Sequence, residues 1–256
     1  MVDMDIISEL KEYIGNNPLF YLKFCRCLEY ANDILNGNLY SNNVKYFREL
    51  EEKEHEHGQG DLHEVALLAK SENITLYDNN TNELIAYSPT GFLEVKFNDD
   101  LLRPIVCFVG VTLDDLKVKT YNEHFAEFEF AFSYEEYNLF SEKFGEYCVI
   151  ISGKEIIDKI KEYCANIKTD FVFGKVTYSI QNDIDRVNAF MNGTKYRFLY
   201  KDPEFSYQRE YRFATKLEMP SDHFFRIGPL ADAKIVQTSA LSNLCLRINY
   251  TLEEKD

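Results

Sequence analysis

A chain of 256 residues, 45 % hydrophobic and 15 % aromatic, has the length and apolar content to bury a sizeable core, which excludes a disordered chain. Its formal net charge of −15, from 28 basic and 43 acidic residues, repels nucleic-acid backbones and anionic membranes, so neither is expected as a partner. No Pro/Gly/Ser-rich linker and no long like-charge run interrupts it, so residues 1–256 read as a single domain.

In chain order, Ile6, Ile7, Leu10, Tyr13 and Ile14 recur at helical spacing, and Gly15 and Pro18 stand where a helix would stop, which predicts a short amphipathic helix over 4–14. Residues 20–26 read as a strand, 29–36 as a short helix closed by Gly37, and Leu39-Tyr40 as the start of another extended piece. The nearly all-polar run 51–64 predicts a solvated loop or exposed helix end. Beyond it, 74–77, 84–87 and 92–97 look like strands joined by the turn signals Asp78-Asn79-Asn80 and Ser88-Pro89-Thr90-Gly91, a three-stranded meander.

The apolar run 104–111 and the alternating segment 128–132 predict two further strands. A helix over 134–144, a buried strand over 147–151 and a helix over 154–167 follow. In the last third, 171–180 and 208–217 are long strand candidates with a helix over 183–192 between them, and 234–237 and 245–250 are late strands. Strands outnumber helices without alternating regularly with them. The fold class is therefore α+β, with a mixed, mainly antiparallel sheet core and flanking helices.

The six cysteines lie mostly in apolar runs, lack a CxxC pair and read as buried small hydrophobes. Met1 to Leu10 carries acids where a signal peptide needs a basic flank and an apolar run, so a reducing cytoplasm is expected. The segment His55-Glu56-His57-Gly58-Gln59-Gly60-Asp61-Leu62-His63-Glu64 holds three of the five histidines. His55, His57 and His63 could ligate a metal, but nothing fixes their geometry as an HExxH helix would, and the segment reads as a wet loop with no metal site. No dinucleotide-binding glycine fingerprint, phosphate-loop motif or GxSxG elbow is present, which disfavours those enzyme classes.

A second polar cluster is Tyr207-Gln208-Arg209-Glu210-Tyr211-Arg212-Phe213. Strand alternation would put Gln208, Glu210 and Arg212 on one face. Two explanations stand open. Glu210 could be half of an ion pair with an arginine such as Arg26 or Arg48, or Gln208 and Glu210 could face a ligand, Glu210 accepting from a ribose diol or stabilising a cationic sugar.

The pattern Tyr21-Leu22-Lys23-Phe24, Glu29-Tyr30-Ala31, Leu35 to Tyr40, Tyr46 to Glu51 and Gly60-Asp61, with Phe144 to Tyr147, Lys201-Asp202 and Tyr207 to Arg212, resembles a family of bacterial and prophage proteins of similar length. That family is in turn distantly similar to ADP-ribosyltransferase-like folds. The resemblance implies NAD as cofactor, with Arg26 or Lys23 on its phosphates, Ser41 supporting the ribose, Glu210 as the catalytic acid, and Gln208 or Tyr207 positioning the acceptor. Ser41-Asn42-Asn43 stands where that fold carries Ser-Thr-Ser. The expectation is an ADP-ribosyltransferase-like protein of phage or prophage origin acting on a host macromolecule, a protein, inside the bacterial cell. The alternative is a non-catalytic phage protein that binds and inhibits a host defence protein.

Overall fold

The computed structural model describes residues 3–54 and 60–249. It is mixed α/β, with mainly antiparallel sheets. The chain opens with α1 (Asp3–Ile14), β1 (Phe20–Cys25), α2 (Leu28–Leu35) and β2 (Asn38–Tyr40), close to the bounds that hydrophobic spacing predicts. Gly37 ends α2 at φ +76°, and a Cβ there would lie 1.9 Å from the carbonyl oxygen of Gly228, so no other residue fits.

Next come β3 (Asn42–Asn43), α3 (Val44–Glu54), β4 (Leu67–Tyr77), β5 (Leu84–Val95), β6 (Pro104–Val111), β7 (Leu116–Tyr121) and β8 (Phe125–Phe130). The expected meander is instead one long hairpin, β4–β5. Ser88, Thr90 and Gly91 do not turn but pair with Ile74, Glu72 and Ser71. Pro89 is tolerated because each strand of a two-stranded ribbon has an open edge, where a missing N–H costs no ladder bond. The real turn is Asp78 to Glu83, where the Asp78 carboxylate accepts from the N–H groups of Asn80 and Thr81, both at 2.8 Å.

The remaining elements are α4 (Tyr134–Leu139), continued by a π-helical turn Phe140–Phe144, then β9 (Tyr147–Ser152), α5 (Gly153–Asn166), β10 (Phe171–Lys175), β11 (Thr177–Tyr178), α6 (Ile184–Met191), β12 (Tyr200–Lys201), β13 (Glu210–Thr215), β14 (Phe224–Arg226), β15 (Lys234–Gln237) and β16 (Cys245–Asn249). The single strand read over 171–180 is broken at Val176, whose N–H donates to the carbonyl of Glu210. The strand read from 208 starts at Glu210, because Gln208 closes a 3-10 turn, Pro203–Gln208, and Arg209 is left-handed at φ 46°.

The chain divides into two compact units interleaved in sequence, Met1–Tyr40 with Cys107–Lys168 and Pro220–Asp256, and Ser41–Val106 with Thr169–Met219. In the first, β1 pairs with β6 on one side (Leu22 opposite Val109) and β9 on the other (Leu22 opposite Ile150), and β15 extends the sheet beyond β9. A second sheet is ordered β16-β8-β7. Its core joins Leu22, Val109, Phe128, Phe132, Phe140 and Cys148 under Ile6 and Leu10 of α1. In the second unit β10 pairs with β13, β3 with the first residues of β6, and β11 in parallel with β12. Among the described residues no helix is long and apolar enough to cross a membrane.

Candidate functional site

The second unit contains a buried charge network built from three stretches distant in sequence. β13 supplies Glu210 and Arg212, β12 supplies Lys201, and the segment after α3 supplies Asp61 and Glu64. Arg212 Nε donates to Glu210 Oε1 at 2.8 Å, and its Nη1 donates to Glu64 Oε1 and to the Phe198 carbonyl, both at 2.7 Å. Lys201 Nζ donates to Gln208 Oε1 at 2.7 Å and Glu210 Oε2 at 3.2 Å, lies 3.5 Å from Glu64 Oε2, and sits 4.9 Å above the centre of the Phe205 ring. The Glu210 N–H donates to the Tyr178 hydroxyl at 2.8 Å. Glu210, Lys201 and Arg212 are 4 %, 3 % and 1 % exposed.

Charges this deep persist only when paired. Burial alone would drive the Lys201 ammonium down, but Glu210 and Glu64 more than offset it and hold its pKa above the ordinary lysine value. Burial, with the Glu210 charge beside it, also raises the Tyr178 phenol. Asp61 is the odd member. Two cations balance Glu64 and Glu210, and a third carboxylate exceeds that balance. Burial first, and then the Glu64 charge, push the Asp61 carboxyl up to about 7, against the pull of Lys201, the His63 N–H and Arg212.

Residues 60–64 are therefore not the wet loop that their polarity suggests. Gly60 packs against α3 so closely that a Cβ would lie 2.5 Å from the Glu51 nitrogen, and the Asp61 N–H donates to the Phe47 carbonyl at 3.1 Å. Arg48 on α3 clamps the carbonyl of Glu64 through Nε (2.8 Å) and Nη2 (2.7 Å), and that of Val65 at 3.2 Å. The clamp holds Val65 at φ 50°, a strained left-handed conformation for a β-branched residue. It thereby fixes where Glu64 enters the network.

Gln208 and Glu210 thus come together through Lys201, although an irregular turn rather than strand alternation places Gln208. Arg212, not Arg26 or Arg48, is the arginine paired with Glu210. Ser41 is buried at the start of the second unit and Tyr207 is half-buried beside Gln208. Lys23 and Arg26 belong to the first unit. Lys23 on β1 donates to the Cys107 carbonyl at 2.7 Å and lies over Phe108, and Arg26 is exposed just past β1.

His55 and His57 lie outside the described residues; His63 is half-buried, with an Nδ1 that meets no hydrogen-bond partner. Among the described residues no group of three or more His, Cys, Asp or Glu is arranged to hold a metal ion.

Lys201, Glu64, Asp61 and Tyr178 escape a reading by motif. Lys201 and Asp61 do fall within the segments that carry the family resemblance. Their neighbour Asp202 is also internally paired, accepting from Arg186 Nη1 at 2.7 Å and Gln181 Nε2 at 2.5 Å.

Both Glu210 oxygens accept from cations, and the side chain is almost fully buried. That arrangement can brace a fold strongly. No protein-family model matches the chain, and neither does any curated protein or any solved structure.

Proposed function

We propose that this chain works by binding a protein partner, with the Glu210 network as an internal brace, and not by ADP-ribosyl transfer from NAD. The observation that carries this reading is the double engagement of the Glu210 carboxylate by Arg212 and Lys201 at 4 % exposure. A transferase acting through Glu210 would have to turn that carboxylate toward the ribose of NAD. Doing so would strip both buried cations of a partner, which typically costs about 3–5 kcal/mol. The resemblance to prophage proteins supports placing the partner inside a bacterial host, as a component that the chain occupies and inhibits.

The β4–β5 hairpin is the surface best suited to such contact. Its outer half exposes Ile74, Leu76, Tyr77, Leu84, Ile85 and Tyr87, with Phe92 lower down at 74 % exposure. Scattered apolar residues are ordinary on surfaces; this many on one two-stranded ribbon is not. The same 29 residues, 67–95, carry Glu72, Asp78, Glu83 and Glu94 against Lys70 alone. With a chain charge of −15, the fitting partner presents an apolar patch rimmed by Lys and Arg.

The test expresses the chain in bacteria and asks two things. A stoichiometric partner should co-purify with the wild type and be lost from a Leu76→Ser/Ile85→Ser variant that melts normally, while purified protein given labelled NAD and cell extract transfers no label. Labelling that vanishes in Glu210→Gln would establish the transferase instead.

A further inference from the structure

The second unit also contains a cavity of about 230 Å³, away from the hairpin's exposed half, whose charge opposes that of the chain. Arg103, Lys195, Arg197 and Lys216 line it against Asp99, Asp100 and Asp170, an excess of one positive charge in a chain of net −15. Its construction is asymmetric. Arg197 forms part of the wall, with Nε and Nη2 on the two Asp100 oxygens and Nη1 on the carbonyls of Gly193 and Thr194, all at 2.6 Å. Its guanidinium lies between Phe97 and Phe198, 4.8 and 5.1 Å from the ring centres. This buried, fully oriented ion pair gives the cavity a rigid polar back with aromatic flanks.

The remaining cations are less committed. Lys195 pairs with Asp170 at 2.6 Å. Arg103 gives one Nη1 bond to the Lys216 carbonyl, which leaves most of its five donors for a ligand, and Lys216 is an exposed lysine on the same wall. Phe171, Val172 and Ala214 add apolar lining. Gly193 stands at φ +61°, the left-handed backbone that favours glycine.

We infer that this cavity binds a small aromatic anion, a single planar ring carrying a phosphate or carboxylate, with the ring against Phe97 and Phe171 and the anionic group on Arg103 and Lys216. The volume equals that of roughly eight waters, enough for one ring and one anionic head. Arg103 and Lys216, of which Lys216 also draws on Asp170, put positive charge at the edge of a cavity whose lining is mixed polar and apolar, which favours an anion. The aromatic flanks select for a flat ring.

Phenyl phosphate is the probe, titrated calorimetrically into the full chain alongside inorganic phosphate and phenol. Expected is one saturable site per chain, at least about tenfold tighter for phenyl phosphate than for either fragment, weakening as NaCl is raised. Lys216→Ala should weaken it about tenfold with an unchanged melting temperature. Arg103→Gln should do the same, and because Arg103 also holds the Lys216 carbonyl, Lys216→Ala carries the test if that variant misfolds. No saturation up to about 10 mM, equal affinity for phenol or inorganic phosphate, or full binding by Lys216→Ala would each overturn the assignment.

Discussion

Asp61 turns the charge count of the network into a pH dependence. Its carboxyl is pushed up to about 7 in the folded chain from 3.8, so between these values the folded state holds a proton that the unfolded state has lost. Stability from this group therefore falls as pH rises from about 4 to about 7, and levels off above. The groups facing it are Glu64, Lys201, Arg212 and the His63 N–H, and of these only Glu64 disfavours ionisation. Asp61→Asn keeps an acceptor for His63 and removes the titration. Compared at pH 5.5 and 8.5 by urea unfolding, the wild type should lose roughly 1–3 kcal/mol more than the variant. Equal losses in both proteins would place the Asp61 proton elsewhere.

The cysteines make a second prediction at this scale. All six are free thiols, but they are not uniformly buried as their apolar contexts suggest: Cys25, Cys148 and Cys164 are enclosed, Cys27 and Cys107 half-buried, and Cys245 exposed at the start of β16. Burial pushes the Cys25 thiol up to about 11 and raises Cys148 as well. A thiol reagent at neutral pH should modify Cys245 first and leave Cys25, Cys148 and Cys164 until unfolding, as peptide mapping would show. Early loss of Cys148 would contradict the packing of β9.

At the scale of elements, the hairpin is where sequence and structure part most clearly. Ser88-Pro89-Thr90-Gly91 has the composition of a turn, but its pairing with β4 keeps it extended, and the open edge on its other side leaves room for Pro89. That is a tertiary circumstance invisible locally. Elements with a strong period and a clear stop, such as α1, α2 with Gly37, and β6, are legible almost to the residue. Because the hairpin's apolar side chains are exposed and bury little of their own surface, Leu76→Ser and Ile85→Ser should each change stability by no more than about 0.5 kcal/mol in chemical unfolding. A loss near 2 kcal/mol would mean that these side chains are packed in the free protein.

Across the whole molecule, the division into two units is hard to read because the chain crosses between them four times, three times in connections between elements and once inside a strand. The transition from Val106 to Cys107 falls in the middle of β6, where any change of residue type would break the strand. The candidate site was half legible for a related reason. Glu210 and Gln208 stand out because three polar groups beside aromatic residues need an explanation. Lys201 and Glu64, which provide the explanation, lie 9 and 146 positions away and announce nothing by themselves.

The brace is the central claim, and Glu210→Gln tests it. With Lys201 and Arg212 left to share Glu64, one buried positive charge goes unbalanced, and the unfolding free energy of the variant in urea should fall by roughly 3–5 kcal/mol. A Glu210→Gln protein within about 1 kcal/mol of wild type would contradict it, since a carboxylate dispensable to the fold is free to serve as a catalytic acid.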